Sequence, residues 1–312
     1  MWQGSGRQQM TAFQFVGTIV RGRVANMTDL TLGQVGGQIV LLGSTAHGGG
    51  MSRWRVTDAD SAARLVANYD YPDRLTHMAE PQAVLLYRPG GGVTMMAAGL
   101  YGAAELASQI RPNSGIVEKD VPLIRSHLPR DLLDAGSLSS AGGQSFVWTT
   151  RHERAELSLW KQAADGTLGA PVTAPVLPGL VRGAQIDSVS TIRIGATDLI
   201  LSASTRGNYI AAHVVGPDGQ LSPGRFVSGA RGTGFNGPRD IAAVEVEGKY
   251  YAIVSSAFSS SLTTARIVPG GGLVPVDHVV DERTTRFQSA TVMEVAQVAG
   301  RTFIIVGGLM TG

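Results

Sequence analysis

The stretch GKYYAIVSS, residues 248 to 256, joins a glycine to an apolar run that ends in small polar residues. Such a run, rich in β-branched and aromatic side chains and preceded by a turn residue, is typical of a buried β-strand. The same arrangement occurs five more times, at anchor glycines Gly36, Gly92, Gly143, Gly195 and Gly300. The intervals between successive anchors are 56, 51, 52, 53 and 52 residues, which indicates a structural repeat.

A second motif keeps a nearly constant distance from the first. It is a strand-like run, a turn at glycine and a restart at leucine, as in LSLWKQAADGTL at 157–168 and YIAAHVVGPDGQL at 209–221. Asp-Gly between alternating runs is a strong hairpin signal, because glycine accepts the positive φ that such turns need. Each repeat therefore predicts four antiparallel strands: the anchor strand, a second strand, a post-turn strand and an alternating strand such as IAAVEVE at 241–247.

Four short strands in a repeat of roughly 52 residues are the sequence form of a β-propeller blade. We predict an all-β fold, a β-propeller of four-stranded blades, with six blades, or seven if the chain is a fragment. The anchor strand is predicted to be innermost because it is apolar without alternation. The alternating strand is predicted to be outermost. We expect residues 1–14 to form an N-terminal arm and residues 15–312 a single propeller domain.

The two ends of the chain look like parts of one blade. After Gly300 only one strand-like run, at 303–306, precedes the end, whereas FVGTIVRG at 15–22 resembles FVSGARG at 226–232. We therefore expect residues 15–35 to supply outer strands for the last blade. Such pairing of the N- and C-terminal segments would close the ring and remove free sheet edges. The second strand of that blade could come from residues 1–13, another subunit or an extension of the chain.

Composition excludes several classes of protein. The absence of cysteine rules out disulfides and thiolate metal sites. The net charge is only +2 and the basic residues are scattered, so we expect no nucleic-acid partner. No apolar run is long enough for a membrane helix, and the N-terminus lacks a secretory signal pattern. We expect no membrane insertion. The predicted location is extracellular or particle-associated, reached by export without an N-terminal signal peptide. A cytoplasmic location is the alternative.

Two short sequences match catalytic motifs. GTGFNG at 232–237 matches G-x-G-x-x-G, but Pro238 and a strand-like run follow it where a dinucleotide site needs a helix. Ser158 and Lys161 match S-x-x-K, but residues three apart on a strand point to opposite faces. Neither string predicts a catalytic site.

Two other features have structural interpretations. Trp54 and Trp160 occupy the same place in their repeats, which predicts packing between blades. Residues 118–136 interrupt the strand pattern, and a helical turn is expected at 130–135.

The loops after the anchor strands are the best candidates for recognition. They read STAHGGGM, TRHERAE, STRGNY and SAFSSS in four repeats. A propeller gathers equivalent loops on one face, and loops on a rigid scaffold carry binding residues. The candidate ligand-binding residues are His47, Arg151, His152, Arg154 and Arg206. Guanidinium groups bind anions, so the hypothesis is an acidic surface polysaccharide or a protein patch; the alternative is ordinary solvated loop charge.

The blade motif, G-x-x and four apolar residues followed by L-[ST] and D-G-x-L, resembles the propeller regions that precede hemolysin-type (RTX) calcium-binding repeats in alphaproteobacterial proteins. That resemblance implies a non-catalytic binding, adhesion or structural module, as in a phage-like tail fibre or spike, that contacts a cell-surface glycan or protein and other subunits of a particle. The calcium motif G-G-x-G-x-D is absent from the chain, so calcium is not carried over and no cofactor is expected.

The motif is more distantly similar to lactonase-like propellers. That resemblance implies an alternative function, a metal-dependent hydrolase whose acidic and amide ligands lie near the central channel. The anchor runs, taken as innermost, contain only Asp198 as an acidic residue. The sequence therefore predicts no metal site, no catalytic residue and a protein that is not an enzyme.

Overall fold

The computed structural model describes residues 27–35, 38–46, 50–56, 63–70, 81–87, 89, 93–98, 108–110, 117–119, 128–129, 131–164, 166–174, 183–230, 232–282, 287–298 and 300–308. The regular elements among these residues are all β-strands, in agreement with the predicted class. No helix in this part of the chain is long and apolar enough to cross a membrane.

The strands form antiparallel sheets in which neighbours in sequence are neighbours in space. The first sheet contains β1 (Met27–Val35), β2 (Gln38–Thr45), β3 (Gly50–Val56) and β4 (Arg64–Asp70). The second contains β5 (Gln82–Tyr87), β6 (Val93–Ala98), β7 (Ser108–Ile110) and β8 (Val117–Lys119). The third contains β9 (Leu132–Ser139), β10 (Ser145–Arg151), β11 (Arg154–Gln162) and β12 (Leu168–Thr173).

The remaining sheets repeat this order. The fourth contains β13 (Ser188–Ile194), β14 (Thr197–Ser204), β15 (Tyr209–Val215) and β16 (Arg225–Ser228). The fifth contains β17 (Pro238–Val246), β18 (Lys249–Ser256), β19 (Ser261–Val268) and β20 (Gly272–Val280). A last sheet contains β21 (Ala290–Val298) and β22 (Arg301–Gly308). Successive four-stranded sheets of this kind form a propeller-like arrangement.

Four anchor glycines, Gly143, Gly195, Gly248 and Gly300, lie in the turns between the first and second strands. Gly195 and Gly248 have φ values of +59° and +72°, and the hairpin glycines Gly166 and Gly219 have +90° and +78°. A Cβ added at Gly195 would meet nothing within 4 Å, so backbone conformation rather than crowding requires glycine there. The sequence repeat therefore marks two recurring turns in the third, fourth and fifth sheets, as predicted.

The first strand of each sheet, and not the anchor strand, is innermost. β1 lies beside β5, β5 beside β9, β13 beside β17, β17 beside β21, and β21 beside β1. A hydrogen bond from Arg193 to the Ser139 carbonyl links β13 to β9. The prediction that the apolar anchor run is innermost is wrong. The anchor strand is continuously buried because neighbouring sheets cover both of its faces, as at Ile253 and Val254.

The alternating strand was assigned to the wrong edge for the same reason. β17, which contains the alternating run, is the inner strand, whereas β12, β16 and β20 are the largely exposed outer strands. An inner strand has polar residues because one side of it faces the axis. The strand order within each repeat is therefore displaced by one from the predicted order.

The tryptophans pack between sheets, as predicted. Trp54 lies in a core cluster with Val292 of the last sheet, and Trp160 lies in one with Val84 of the second sheet. Trp160 also donates a hydrogen bond from Nε1 to Thr149 Oγ1 at 2.9 Å. These clusters show that the apolar core lies mainly between adjacent sheets.

The predicted use of residues 15–35 is wrong for its second half. Residues 27–35 form β1 and pair with β2 in the first sheet, for example Leu32 with Leu41. β22 pairs with β21 instead, with Ile305 opposite Glu294. Residues 15–22 and the expected arm at 1–14 lie outside the described residues. The described terminal segments meet through the contact of β21 with β1.

Candidate functional site

Five residues of the described inner strands carry carboxyl groups; one of them, Glu245, is exposed, and the other four form a group. We call Asp29 on β1, Asp134 on β9, Asp240 on β17 and Glu294 on β21 the axial carboxylates. Each of the three aspartates is the third residue of its strand. The expected helical turn at 130–135 is wrong, because β9 begins at Leu132 and places Asp134 in a strand. The repeat thus directs carboxylates from different sheets toward the axis.

The axial carboxylates connect neighbouring sheets. Inner strands of adjacent sheets form no β-ladder with one another, so their backbone N–H groups need other acceptors. Three of the carboxylates accept such an N–H from the inner strand of the next sheet. The three bonds are Ala83 N to Asp29 Oδ2 at 2.8 Å, Met293 N to Asp240 Oδ2 at 2.6 Å and Leu32 N to Glu294 Oε1 at 3.0 Å.

Burial raises the pKa of every axial carboxylate. It raises the pKa of Asp29 from 3.8 to about 7, with a further contribution from the charge of Asp240. It raises the pKa of Glu294 from 4.5 to about 8, although the hydrogen bond from Leu32 opposes the increase. Burial, then the charge of Asp29, places the pKa of Asp134 well above its ordinary value. Protonated and ionised carboxyl groups therefore coexist around the axis near neutral pH.

Solvent still reaches part of this cluster. Asp29, Asp134 and Glu294 are half-buried, whereas Asp240 is buried. Asp134 Oδ1 accepts a hydrogen bond from Ala135 N at 2.7 Å. Within the described residues its Oδ2 accepts none, so one carboxylate oxygen is available to a small molecule at the axis.

A cavity of about 490 Å³ opens among the third, fourth and fifth sheets. Its walls come from the loops between second and third strands and from the segments that lead into β13 and β17. We call this cavity the face pocket. The residues that determine its character are His152, Asp187, Arg206, Asn236, Arg239 and Phe258.

The face pocket lies on one side of the segments where β13 and β17 begin, and the axis lies on the other side. Arg239 Nη1 lies 3.1 Å from Asp187 Oδ1 and forms an ion pair in the pocket wall. The next residue of each segment points the other way, and Ser188 Oγ donates a hydrogen bond to Asp240 Oδ1. The charge of Arg239 also lowers the pKa of Asp240, although burial has the larger, opposite effect.

Two of the five predicted site residues lie in the face pocket. His152 and Arg206 come from neighbouring sheets and both line the cavity. The Nδ1 atom of His152 is buried and has no hydrogen-bond partner in the described part of the chain. His47 lies outside the described residues.

The other two predicted residues are bound to acids outside the pocket. Arg151 forms a forked interaction with Asp131, with Nε 2.9 Å from Oδ1 and Nη2 2.8 Å from Oδ2. Arg154 lies 3.4 Å from Glu156 and is half-exposed. Neither guanidinium group is aimed at the cavity, because the carboxylates of their own sheet hold them.

The sequence contained a signal for the axial residues. Asp29, Asp134 and Asp240 recur at intervals of 105 and 106 residues, each about two repeat lengths. The predicted outermost position of the alternating strand places these residues away from the axis, so their recurrence does not by itself predict a site. Phe258, an apolar residue in the otherwise small and polar loop SAFSSS, was the corresponding signal for the pocket.

The donor set does not fit a metal centre. No three histidine, aspartate or glutamate side chains are grouped to hold a metal ion among the residues that the structure describes. The axial carboxylates use oxygens to accept backbone N–H groups, as Asp240 does from both Met293 and Ile241. A lactonase-type metal is therefore not part of the reaction proposed for this protein.

The chain matches no protein-family model, and no curated protein matches it. Solved structures do. A periplasmic gluconolactonase of Pseudomonas aeruginosa is 16% identical, with a TM-score of 0.54 over 78% of this chain and 67% of that one. An α-L-arabinofuranosidase from Clostridium thermocellum is 12% identical, with a TM-score of 0.51 over 84% of this chain and 97% of that one. A chain of Polycomb Repressive Complex 2 from Chaetomium thermophilum is 11% identical, with a TM-score of 0.56 over 92% and 70%.

These comparisons correct the prediction that the protein is not an enzyme. That prediction relied on the absence of acidic residues from the supposed inner strands. The observed inner strands carry the axial carboxylates, so this premise is wrong, and the comparison with a gluconolactonase and an arabinofuranosidase contradicts the prediction. Identities this low show the fold and not the reaction. The structure is similar to gluconolactonase propellers, which supports the lactonase-like part of the sequence resemblance, whereas the link to RTX proteins stays a prediction.

Proposed function

We propose that the protein is a lactonase-like hydrolase whose reaction takes place at the axial carboxylates. The observation that carries the proposal is a group of accessible carboxyls whose pKa values lie near neutrality, about 7 for Asp29 and about 8 for Glu294. General acid–base catalysis is most effective when the pKa of the catalytic group is close to the working pH. Neighbouring carboxyls in different protonation states can serve as base and acid in one reaction.

The proposed reaction opens a sugar lactone with water. Asp29 in its ionised form takes a proton from water as the water oxygen attacks the lactone carbonyl carbon. Glu294, protonated at neutral pH, gives its proton to the ring oxygen as the acyl carbon–oxygen bond breaks. The product is a hydroxy acid, and transfer of the proton from Asp29 to Glu294 through solvent restores both carboxyl groups to their starting states. The new carboxyl group of the product then ionises and releases one proton.

Glycoside hydrolysis is the second candidate, because it also uses two carboxyl groups, one as acid and one as base or nucleophile. The structural likeness to an α-L-arabinofuranosidase supports keeping it in the test. A panel of sugar lactones and aryl glycosides separates the two reactions, since release of acid reports the first and release of the phenol reports the second.

The test compares Glu294→Gln with the wild-type protein. We expect the substitution to lower kcat/KM for the preferred substrate by about 10² to 10⁴, the usual contribution of general acid–base catalysis. Glu245→Gln is the matched control, because Glu245 is an exposed residue of the adjacent inner strand β17. Absence of turnover on every substrate, or equal activity of wild type and Glu294→Gln, would overturn the proposal.

We also propose that the ring has six blades. In support, the described residues form six sheets, and the inner strand of the last contacts that of the first. The hydrogen bond from Leu32 N to Glu294 Oε1 spans this junction in the same way as the bonds between the other sheets. An experimental structure with a seventh sheet between β21 and β1 would refute the six-blade count.

A further inference from the structure

The face pocket has a wall of fixed shape. Its loops turn at Glu153 and Asn208, which have φ values of +54° and +50°, and these conformations are rare for residues other than glycine. Asn208 also holds two loops together, since its Oδ1 accepts from Gly237 N at 2.9 Å and its Nδ2 donates to Gly229 O at 3.1 Å. A preformed concave site of this kind needs little reorganisation to bind a ligand.

Arg206 gives the pocket a cation without an acidic partner. Arg239 is paired with Asp187, but Arg206 forms no ion pair in the described part of the chain. Its guanidinium lies beside Gly183, where an added Cβ would come within 2.8 Å of Nη1. The exposed Glu153 lines the same cavity and its backbone N donates to Gln185, yet its carboxylate forms no ion pair with Arg206. A ligand carboxylate could take the free position at Arg206.

Phe258 adds an aromatic surface to the same cavity. It is 69% exposed, the highest value among the large hydrophobic side chains in the described part of the chain. The ring packs against Gly237, because a Cβ there would lie 2.4 Å from Cδ2. An aromatic ring held in place at a pocket rim provides a flat apolar surface for a ligand that is apolar on one face and polar at its edges.

Two further polar side chains, His152 and Asn236, line the face pocket. His152 Nδ1 is buried and has no hydrogen-bond partner among the described residues, a state that destabilises the protein until a partner binds. The side-chain amide of Asn236 also lines the cavity and has no hydrogen bond in the described residues. A ligand with several hydroxyl groups would supply partners to both.

We propose that the face pocket binds a sugar acid, a saccharide unit that carries a carboxylate. Arg206 binds the carboxylate, the ring of Phe258 packs against the sugar ring, and Asn236 and His152 bind hydroxyl groups. This site is separate from the axial carboxylates, and its ligand need not be the substrate of the hydrolase.

Calorimetric titration of the full chain with glucuronate, glucose and acetate tests this proposal. We expect saturable binding of glucuronate, and binding of glucose or acetate at least about tenfold weaker, because each lacks one of the two recognised features. Arg206→Met should weaken glucuronate binding about tenfold or more, and Phe258→Ser should also weaken it. Arg154→Ala is the matched control, because this neighbouring arginine lies outside the cavity.

The possible results separate this site from the hydrolase. Glu294→Gln should bind glucuronate as the wild type does, even where it has lost activity. Equal binding of glucuronate and glucose, unchanged binding in Arg206→Met, or no saturable glucuronate binding would each overturn the sugar-acid site. Unchanged melting temperatures of the variants would show that a loss of binding does not come from unfolding.

Discussion

Asp187 and Asp240 are nearly buried carboxylates at the beginnings of adjacent inner strands, yet their surroundings differ. Asp187 faces the pocket, where its side chain is 4% exposed and pairs with Arg239 at 3.1 Å. Asp240 faces the axis, where it is 8% exposed and accepts bonds from Ser188, Ile241 and Met293. The comparison shows that the side of the strand decides whether a carboxylate is paired with a cation or joins a group of carboxylates that compete for protons.

The difference also separates two kinds of function. On the pocket side, the ion pair neutralises Asp187 and leaves Arg206 as the cation for a ligand. On the axial side, burial raises the pKa of all four carboxyls, and the pKa values of about 7 for Asp29 and about 8 for Glu294 keep protons available near neutral pH. Binding of an anion and acid–base chemistry can therefore occur a few residues apart on one scaffold.

Asp240→Ala should have the largest effect on stability. The substitution leaves Ser188 Oγ and Met293 N without their acceptor between two sheets, and leaves Ile241 N with only Ser188 Oγ at 3.2 Å. We expect a loss of about 3 kcal/mol in the free energy of unfolding, because buried donors without partners are costly. Urea denaturation measures it. Asp240→Asn, which keeps an acceptor oxygen, should lose less; equal losses would show that these hydrogen bonds do not carry the effect.

Arg239→Leu should have the next largest effect. It removes the cation beside Asp187 and leaves a nearly buried carboxylate unpaired. We expect about 2 kcal/mol of destabilisation, below the range for a fully buried pair because the side chain of Arg239 is 20% exposed. The double variant Asp187→Asn/Arg239→Leu should recover part of the loss in the same denaturation experiment. No recovery would mean that Arg239 acts through other contacts.

The sequence predicted the repeat but not the order of strands within it. Glycines such as Gly195 and Gly219 recur because tight turns require positive φ, so their spacing was visible without a structure. The assignment of the innermost strand depended on interpreting the apolar run at 249–256. Continuous burial arises equally at an axis and between two sheets, and only the tertiary arrangement distinguishes these cases.

The sequence predicted some features of the candidate site but not others. His152 and Arg206 share a cavity because equivalent loops of neighbouring sheets meet on one face, as loop position indicated. The sequence did not show that Arg151 binds Asp131, since Asp131 precedes β9, Arg151 ends β10, and the two meet only through the pairing of these strands. The axial carboxylates needed the correct strand order before their recurrence could be interpreted.

The axial carboxyls should make stability decrease as pH rises. Burial raises the pKa of folded Glu294 from 4.5 to about 8, so the unfolded chain loses this proton first. The stabilising contribution of the protonated form is complete below about pH 4.5 and is lost as the pH rises through about 8. Glu294→Gln is neutral throughout, so its urea midpoint should fall less than that of the wild type between pH 5 and pH 8. Parallel decreases in the two proteins would contradict the raised pKa.

Arg154→Ala should have the smallest effect. Arg154 is half-exposed and lies 3.4 Å from the partly exposed carboxylate of Glu156, so solvent screens the pair. We expect a change of less than about 0.5 kcal/mol in the free energy of unfolding, as for most exposed ion pairs. A loss as large as that of Arg239→Leu would mean that exposure does not explain the difference between Arg154 and Arg239. The contrast between the two variants therefore tests whether burial beside the inner strands, rather than charge alone, sets the strength of these ion pairs.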